Sequence, residues 1–295
     1  MNKYSHLNLP SGSLRVAVTN KCNMNCVYCH NEGQDKRFQE DMSFAVFAKI
    51  FDIAKKFGLR GISFTGGEPF LNKDLKKMVK YAIKNKLEKI DVCSNAILIK
   101  ENLGILKMSK DISLAIGIDT IKEDEISKNS ETGLPFKEIE ENLFLLKSKK
   151  VKFSINTVYS GNDKKTLEII KYCLNYGFTL RVIELDTKEQ DFMSGIKFER
   201  FVKKAIKTLK VNSMTAYPVE DIYCKDANGT EIYFYNAKCH IRDCENCKKW
   251  TLRVNSLGEA IPCYAREEKY PISSENDFLR AIYNLGIPPE REKIW

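Results

Sequence analysis

The 295-residue sequence contains no apolar run of 18 residues, and its start does not combine a basic n-region with an apolar core. Neither a membrane span nor a secretory signal is indicated, so the chain reads as cytoplasmic. It also lacks a stripe of basic residues interleaved with aromatics, although 48 Lys and Arg face 39 Asp and Glu for a net charge of +9. Much of the lysine falls on helical stretches, as at Lys76, Lys77, Lys80, Lys84 and Lys86, and forms a solvated face. Nucleic acid is therefore not the expected partner, and the charge is only a weak pointer to an anionic substrate. Without secretion, the ten cysteines do not read as a disulfide framework. Clustered thiols in a reducing compartment bind metal. Cys93 and Cys173 stand alone among apolar neighbours and read as small buried hydrophobes.

What is present is an alternation. Short apolar runs at 14–19, 61–65, 89–93, 112–118, 151–158 and 180–184 read as strands, with amphipathic helices at 42–57, 75–86, 101–108, 136–149 and 166–176. Strands separated by helical spacers imply a parallel α/β sheet with right-handed crossovers. Six units fall short of a closed eight-fold barrel, so an open, partial (β/α)6 barrel is expected. After residue 186 the rhythm breaks. A further helix is expected over 198–210, irregular chain over 211–240, and a hairpin at 250–263 around Ser256-Leu257-Gly258. The expected division is a barrel over 1–186, a connecting region over 187–238 and a small C-terminal metal-binding domain over 239–295.

The stretch VTNKCNMNCVYCHNEGQ follows the first strand and so lies at the carboxyl rim, where such sheets carry function. Cys22, Cys26 and Cys29 leave three residues and then two between thiols. That spacing lets one loop supply three thiolates to one centre, either zinc or an iron–sulfur cube with one open iron. The second strand ends in TGGEP, where Gly66 and Gly67 allow close backbone approach and Glu68 brings negative charge. A second group, Cys239, Cys244, Cys247 and Cys263, offers a Cys-x2-Cys pair that suits zinc or iron–sulfur alike.

The cysteine spacing, with Tyr28 before the last thiol, resembles the signature loop of the radical S-adenosylmethionine (SAM) superfamily, and GGEP resembles that family's SAM-binding turn. The resemblance implies that Cys22, Cys26 and Cys29 hold a [4Fe-4S] cluster whose open iron chelates SAM. Tyr28, Gly66, Gly67, Glu68, Pro69, Ser94, Asn95 and Asn156 are carried over as the cofactor-binding set, although Ala96 stands where relatives have glycine. The implied chemistry is reductive cleavage of SAM to a 5′-deoxyadenosyl radical that abstracts hydrogen from the substrate. A low-potential flavodoxin or ferredoxin is the implied electron donor.

Within the superfamily, LRVAVTNKCNMNCVYCHNEGQ, INTVYSGND, LRVIELD and CENCKKWTLRVNSLGEAIPC resemble the GTP 3',8-cyclase branch of molybdenum-cofactor synthesis. This implies a second, twitch-type [4Fe-4S] cluster held by Cys244, Cys247 and Cys263, with Cys239 as a possible fourth ligand. It also implies Arg15 and Arg253 at a nucleotide-like substrate. Departures fall on substrate recognition: Ser154 replaces an expected lysine with Lys152 two residues away, and Gly117 replaces a serine. Two other readings stand beside the nucleotide one: crosslinking or epimerisation of a ribosomal peptide, and a noncatalytic metal-binding assembly protein. Arg181, Glu184 and Asp119 are further candidates, the first two because a strand of alternating faces should send at least one of them into the barrel.

Overall fold

The computed structural model describes residues 9, 12–26, 29, 32, 34, 39–129, 136–185, 192–209, 213–216, 222–235, 251–261 and 268–284. Six strands, β1 (Ser13–Thr19), β2 (Gly61–Gly66), β3 (Lys89–Ser94), β4 (Ile112–Gly117), β5 (Lys152–Tyr159) and β6 (Leu180–Glu184), form consecutive parallel ladders. Helices α1 (Phe44–Lys56), α2 (Leu75–Lys84), α3 (Ile99–Leu106), α4 (Glu123–Asn129), α5 (Phe136–Ser148), α6 (Asp163–Tyr176) and α7 (Phe192–Leu209) occupy the connections. The sheet does not close, as a partial barrel requires.

The chain after β6 extends the sheet at both ends. β9 (Glu231–Tyr235) pairs parallel with β6 and antiparallel with β8 (Ile222–Lys225), which pairs with β7 (Ser213–Ala216). At the other end β10 (Leu252–Val254) lies parallel to β1 and turns into β11 (Glu259–Ile261), then β12 (Tyr270–Pro271). The expected hairpin is therefore present, and the expected irregular stretch instead holds three strands. The final helix α8 (Glu275–Asn284) stacks Phe278 on Phe57 with ring centroids 5.5 Å apart.

The two faces of the sheet differ as their alternation dictates. Leu14, Val16, Ile62, Phe64, Ile90, Val92, Leu114 and Leu180 are buried under the helices. Phe47, Phe51, Phe64 and Tyr81 pack together where α1 and α2 cross that face. The opposite, concave face is polar. Arg253, Arg15, Ser63, Asp91, Ser113 and Lys152 form one lateral row in register across β10 and β1–β5. A second row carries Gly117, Asn156, Arg181 and Tyr233.

Local signals set the helix ends. Ser43 accepts the Val46 amide at 3.3 Å to cap α1, and Asn162 accepts the Lys165 amide at 3.1 Å to cap α6. Gly177 ends α6 in the left-handed region at φ +66°, which glycine adopts without strain. No helix among the described residues is long and apolar enough to cross a membrane.

Candidate active site

The cysteine loop leaves the carboxyl end of β1 and is pinned at its base. Met42 donates its amide to the Val18 carbonyl at 2.8 Å, Asn20 exchanges hydrogen bonds with Glu40, and Thr19 donates its hydroxyl to Asp41 at 2.6 Å. The buried Asn72 amide donates to Val18 at 2.6 Å and to Met42 at 3.0 Å, closing the neck from beneath. Within the loop, the Cys29 amide reaches the Cys26 carbonyl at 3.1 Å, and the Met24 amide reaches Cys22 Sγ at 3.4 Å. Cys22 and Cys26 are half-buried and Cys29 is exposed, and none of the three forms a disulfide.

The Thr65–Pro69 turn packs directly against this neck. Gly67 donates to the Thr19 carbonyl at 2.9 Å, and Glu68 to the Lys21 carbonyl at 2.8 Å. A Cβ at Gly66 would lie 2.1 Å from the Thr19 oxygen, and one at Gly67 only 2.0 Å from the Lys21 oxygen. Both positions exclude any side chain, and Gly66 also sits at φ +139°. Pro69 is buried and begins a single 3-10 turn, Pro69–Leu71, where its missing amide costs nothing.

Glu68 turns inward. It has no exposed surface and accepts hydrogen bonds from Ser94 Oγ at 3.1 Å, the Asn95 amide at 2.9 Å and the Phe70 amide at 3.2 Å. Burial pushes its carboxyl up to about 7, against the opposing pull of those three donors. Asn95 in turn donates to Asn23 at 2.7 Å, inside the cysteine loop. The ends of β1, β2 and β3 are thus tied into one unit by Glu68, Ser94 and Asn95. Ala96 holds φ +67°, in the left-handed region that favours glycine.

Arg15 reaches from β1 along the concave face to Glu32, with Nη2 to Oε1 at 2.5 Å, and to Thr65 at 3.3 Å. Thr65 donates to the same carboxylate at 2.9 Å. Glu32 was not singled out from the sequence; its cue is its place just after the cysteines, opposite a strand arginine. Cys93 departs from expectation: it lies on the concave face beside Arg15, Glu32 and Asp91, and burial raises its thiol. Cys173 is fully buried as expected, with its thiol pushed up to about 12 by burial.

Arg181 faces the concave side with Lys152, Ser154, Asp91 and Glu231 around a cavity of about 170 Å³. Glu184 points the other way, buried in register with Tyr159. Asp119, at the end of β4, accepts the Val158 amide at 2.5 Å, and burial raises its carboxyl to about 6. Asn156 Oδ1 and Arg181 Nε are buried with no hydrogen-bond partner among the described residues, and their residues are register neighbours. Tyr28, Cys239, Cys244, Cys247 and Cys263 lie outside the described residues, so the second cysteine group has no geometry here.

Among the described residues no three His, Cys, Asp or Glu side chains converge on a single metal-ion position. Cys22, Cys26 and Cys29, carried on one loop, are a donor set that fits a cube, each of whose irons takes one thiolate.

Comparison with known proteins agrees with this geometry. Residues 16–173 match the family described as the radical SAM superfamily. A GTP 3',8-cyclase of Clostridium botulinum is 32% identical over 266 residues, covering 87% of this chain and 82% of its own length. A probable GTP 3',8-cyclase of Methanocaldococcus jannaschii is 26% identical over 263 residues, covering 87% of this chain and 86% of its own. Among solved structures, Streptococcus suis SuiB bound to S-adenosylmethionine aligns over 96% of this chain with a TM-score of 0.69 at 19% identity; the chain spans 66% of SuiB. The protein anSMEcpe with bound AdoMet aligns over 92% of this chain and 79% of its own, with a TM-score of 0.66 at 17% identity. With its cysteine loop, glycine turn and open parallel sheet in these positions, the chain is an enzyme belonging to the radical SAM superfamily.

Proposed function

We propose that this enzyme abstracts hydrogen from an anionic small molecule, a nucleotide, and rearranges or cyclises it as a GTP 3',8-cyclase does. The observation that carries the reading is the set of cations in one concave row, Arg253, Arg15 and Lys152, which outnumber its one carboxylate, Asp91, with Arg181 beside it, below the rim that bears the cysteine loop. The 32% identity to a GTP 3',8-cyclase over most of both chains supports it.

Cys22, Cys26 and Cys29 would hold the [4Fe-4S] cluster, and the backbone of Gly66–Pro69, with Tyr28, Ser94, Asn95 and Asn156, would hold SAM. When bound, the two cofactors supply a 5′-deoxyadenosyl radical, with the electron coming from a flavodoxin or ferredoxin. The chain's own contribution is placement. The stapled neck fixes the thiols, Glu68 braces the turn from within, and Asn156 Oδ1 offers a buried acceptor toward the concave face. Arg15 and Arg253 would meet the substrate, Arg15 while anchored to Glu32. Cys244, Cys247 and Cys263, with or without Cys239, would carry a second cluster in a twitch-type extension.

One observation favours a second reading, modification of a peptide. In the concave cavity Lys152 and Arg181 are matched by Asp91 and Glu231, so this part of the floor carries no net charge. A polyphosphate gains less from such a floor than a peptide with donors and acceptors of both signs. Transfer of deuterium from ribose-labelled GTP into 5′-deoxyadenosine, in anaerobically reconstituted enzyme with SAM and reductant, is the expected result. SAM cleavage without transfer from GTP, but with transfer from a labelled peptide, would replace the nucleotide reading by the peptide one.

A further inference from the structure

We infer that the chain carries a second ligand site, on the helix side of the sheet, for a small molecule bearing several phosphoryl groups. A cavity of about 720 Å³ opens between the β5–α6 turn and α7. Lys164, Lys197, Arg200 and Lys204 line it, against the single carboxylate of Asp163. That carboxylate is engaged: it accepts the Tyr159 hydroxyl at 2.9 Å and pairs with Lys204 at 2.8 Å. Among the described residues no carboxylate pairs with Lys164, Lys197 or Arg200.

Some helical lysines meet carboxylates, as Lys165 does with Glu125 at 2.7 Å, Lys77 with Asp74 at 2.7 Å and Lys56 with Glu275; Lys164, Lys197 and Arg200 share one concavity instead. Three cations left together in one concavity repel each other, and an anion relieves that repulsion. The arrangement is also directed. Lys197, Arg200 and Lys204 recur at i, i+3 and i+7, on one face of α7, and that face looks onto the first turn of α6. A helix start adds partial positive charge from its amide groups.

The ligand's chemistry follows from size and donor type. A guanidinium beside two ammoniums and a helix start suits tetrahedral, multiply charged phosphoryl groups. The volume lies within the roughly 300–1,000 Å³ of small-molecule sites, whereas an acidic protein partner needs about 800 Å² of matching surface. The site is separate from the cavity of Lys152 and Arg181. Tyr159 packs on Phe201 of α7 at 4.5 Å on the helix side, whereas Asn156, three residues earlier, belongs to the concave row.

Calorimetric titration of the apo protein with inorganic tripolyphosphate tests this without any radical chemistry. The expected result is saturable binding that weakens as salt rises, and that falls at least tenfold in a Lys197→Ala/Arg200→Ala double variant. Arg181→Ala should leave the binding component that the double variant loses within twofold of wild type. Both α7 side chains are exposed, so the double variant should keep its fold. Hydrogen-exchange protection of residues 160–164 on binding gives a readout in the unmodified protein. Loss of binding in Arg181→Ala with none in the double variant would place the phosphates on the concave face and overturn the proposal. Absence of saturable binding, or equal affinity for an oligoglutamate of the same charge, would overturn it as well.

Discussion

A carboxylate with no exposed surface resists ionising, and Glu68 is such a group. Its folded value near 7 lies above the ordinary 4.5, so the fold favours its neutral form. The stability it supports is fully present below the unfolded value and is lost as pH rises through 7. Asp119, raised to about 6 by burial, acts in the same direction over a slightly lower window. The loss traced to Glu68 is on the order of 3 kcal/mol between pH 5 and 8. Thermal melts of apo protein over that range should show wild type losing stability relative to Glu68→Gln as pH rises; parallel curves would refute this account. The residues of this unit were legible as a motif, but their orientation was not. The motif offers an acid to the SAM-binding turn, whereas the structure turns it toward Ser94, Asn95 and Phe70. Only tertiary packing decides which way a short polar side chain turns.

Among the elements, the parts most readable in advance were the six parallel strands. Each is a short apolar run between helices, and burial on the helix side imposes that composition. β7, β8 and β9 were not readable as sheet strands, because stretches as short as SMTA, IYCK and EIYFY join a sheet only when a distant edge accepts them. The neck of the cysteine loop was equally hidden, since it depends on Asn72, far from the thiols in sequence. Asn72→Ala would take one buried donor from the Val18 carbonyl, which keeps the Met42 amide, and one from the Met42 carbonyl, at a cost of about 1–3 kcal/mol. Chemical denaturation should report that loss. Anaerobic reconstitution should report weaker iron retention at the Cys22–Cys29 loop, because the neck sets the spacing of its arms. An unchanged denaturation midpoint would show that the neck holds without Asn72.

For the molecule as a whole, the expected complement is two cubes. Anaerobic reconstitution should yield roughly eight irons and eight sulfides per chain. Cys22→Ala and Cys247→Ala should each remove about half, and Cys22→Ala alone should abolish SAM binding. A wild-type count near four would limit the chain to one cluster.

The pairing of β10 with β1 joins Leu14 to Leu252 and Arg15 to Arg253. A ribosome adding about 5–20 residues per second needs at least about ten seconds to make the chain between them. Throughout that interval the nascent chain has β1 covered on one side at most, by β2, with an open strand edge directly below the thiols. Of the strands described, the first to be made is among the last to be completed.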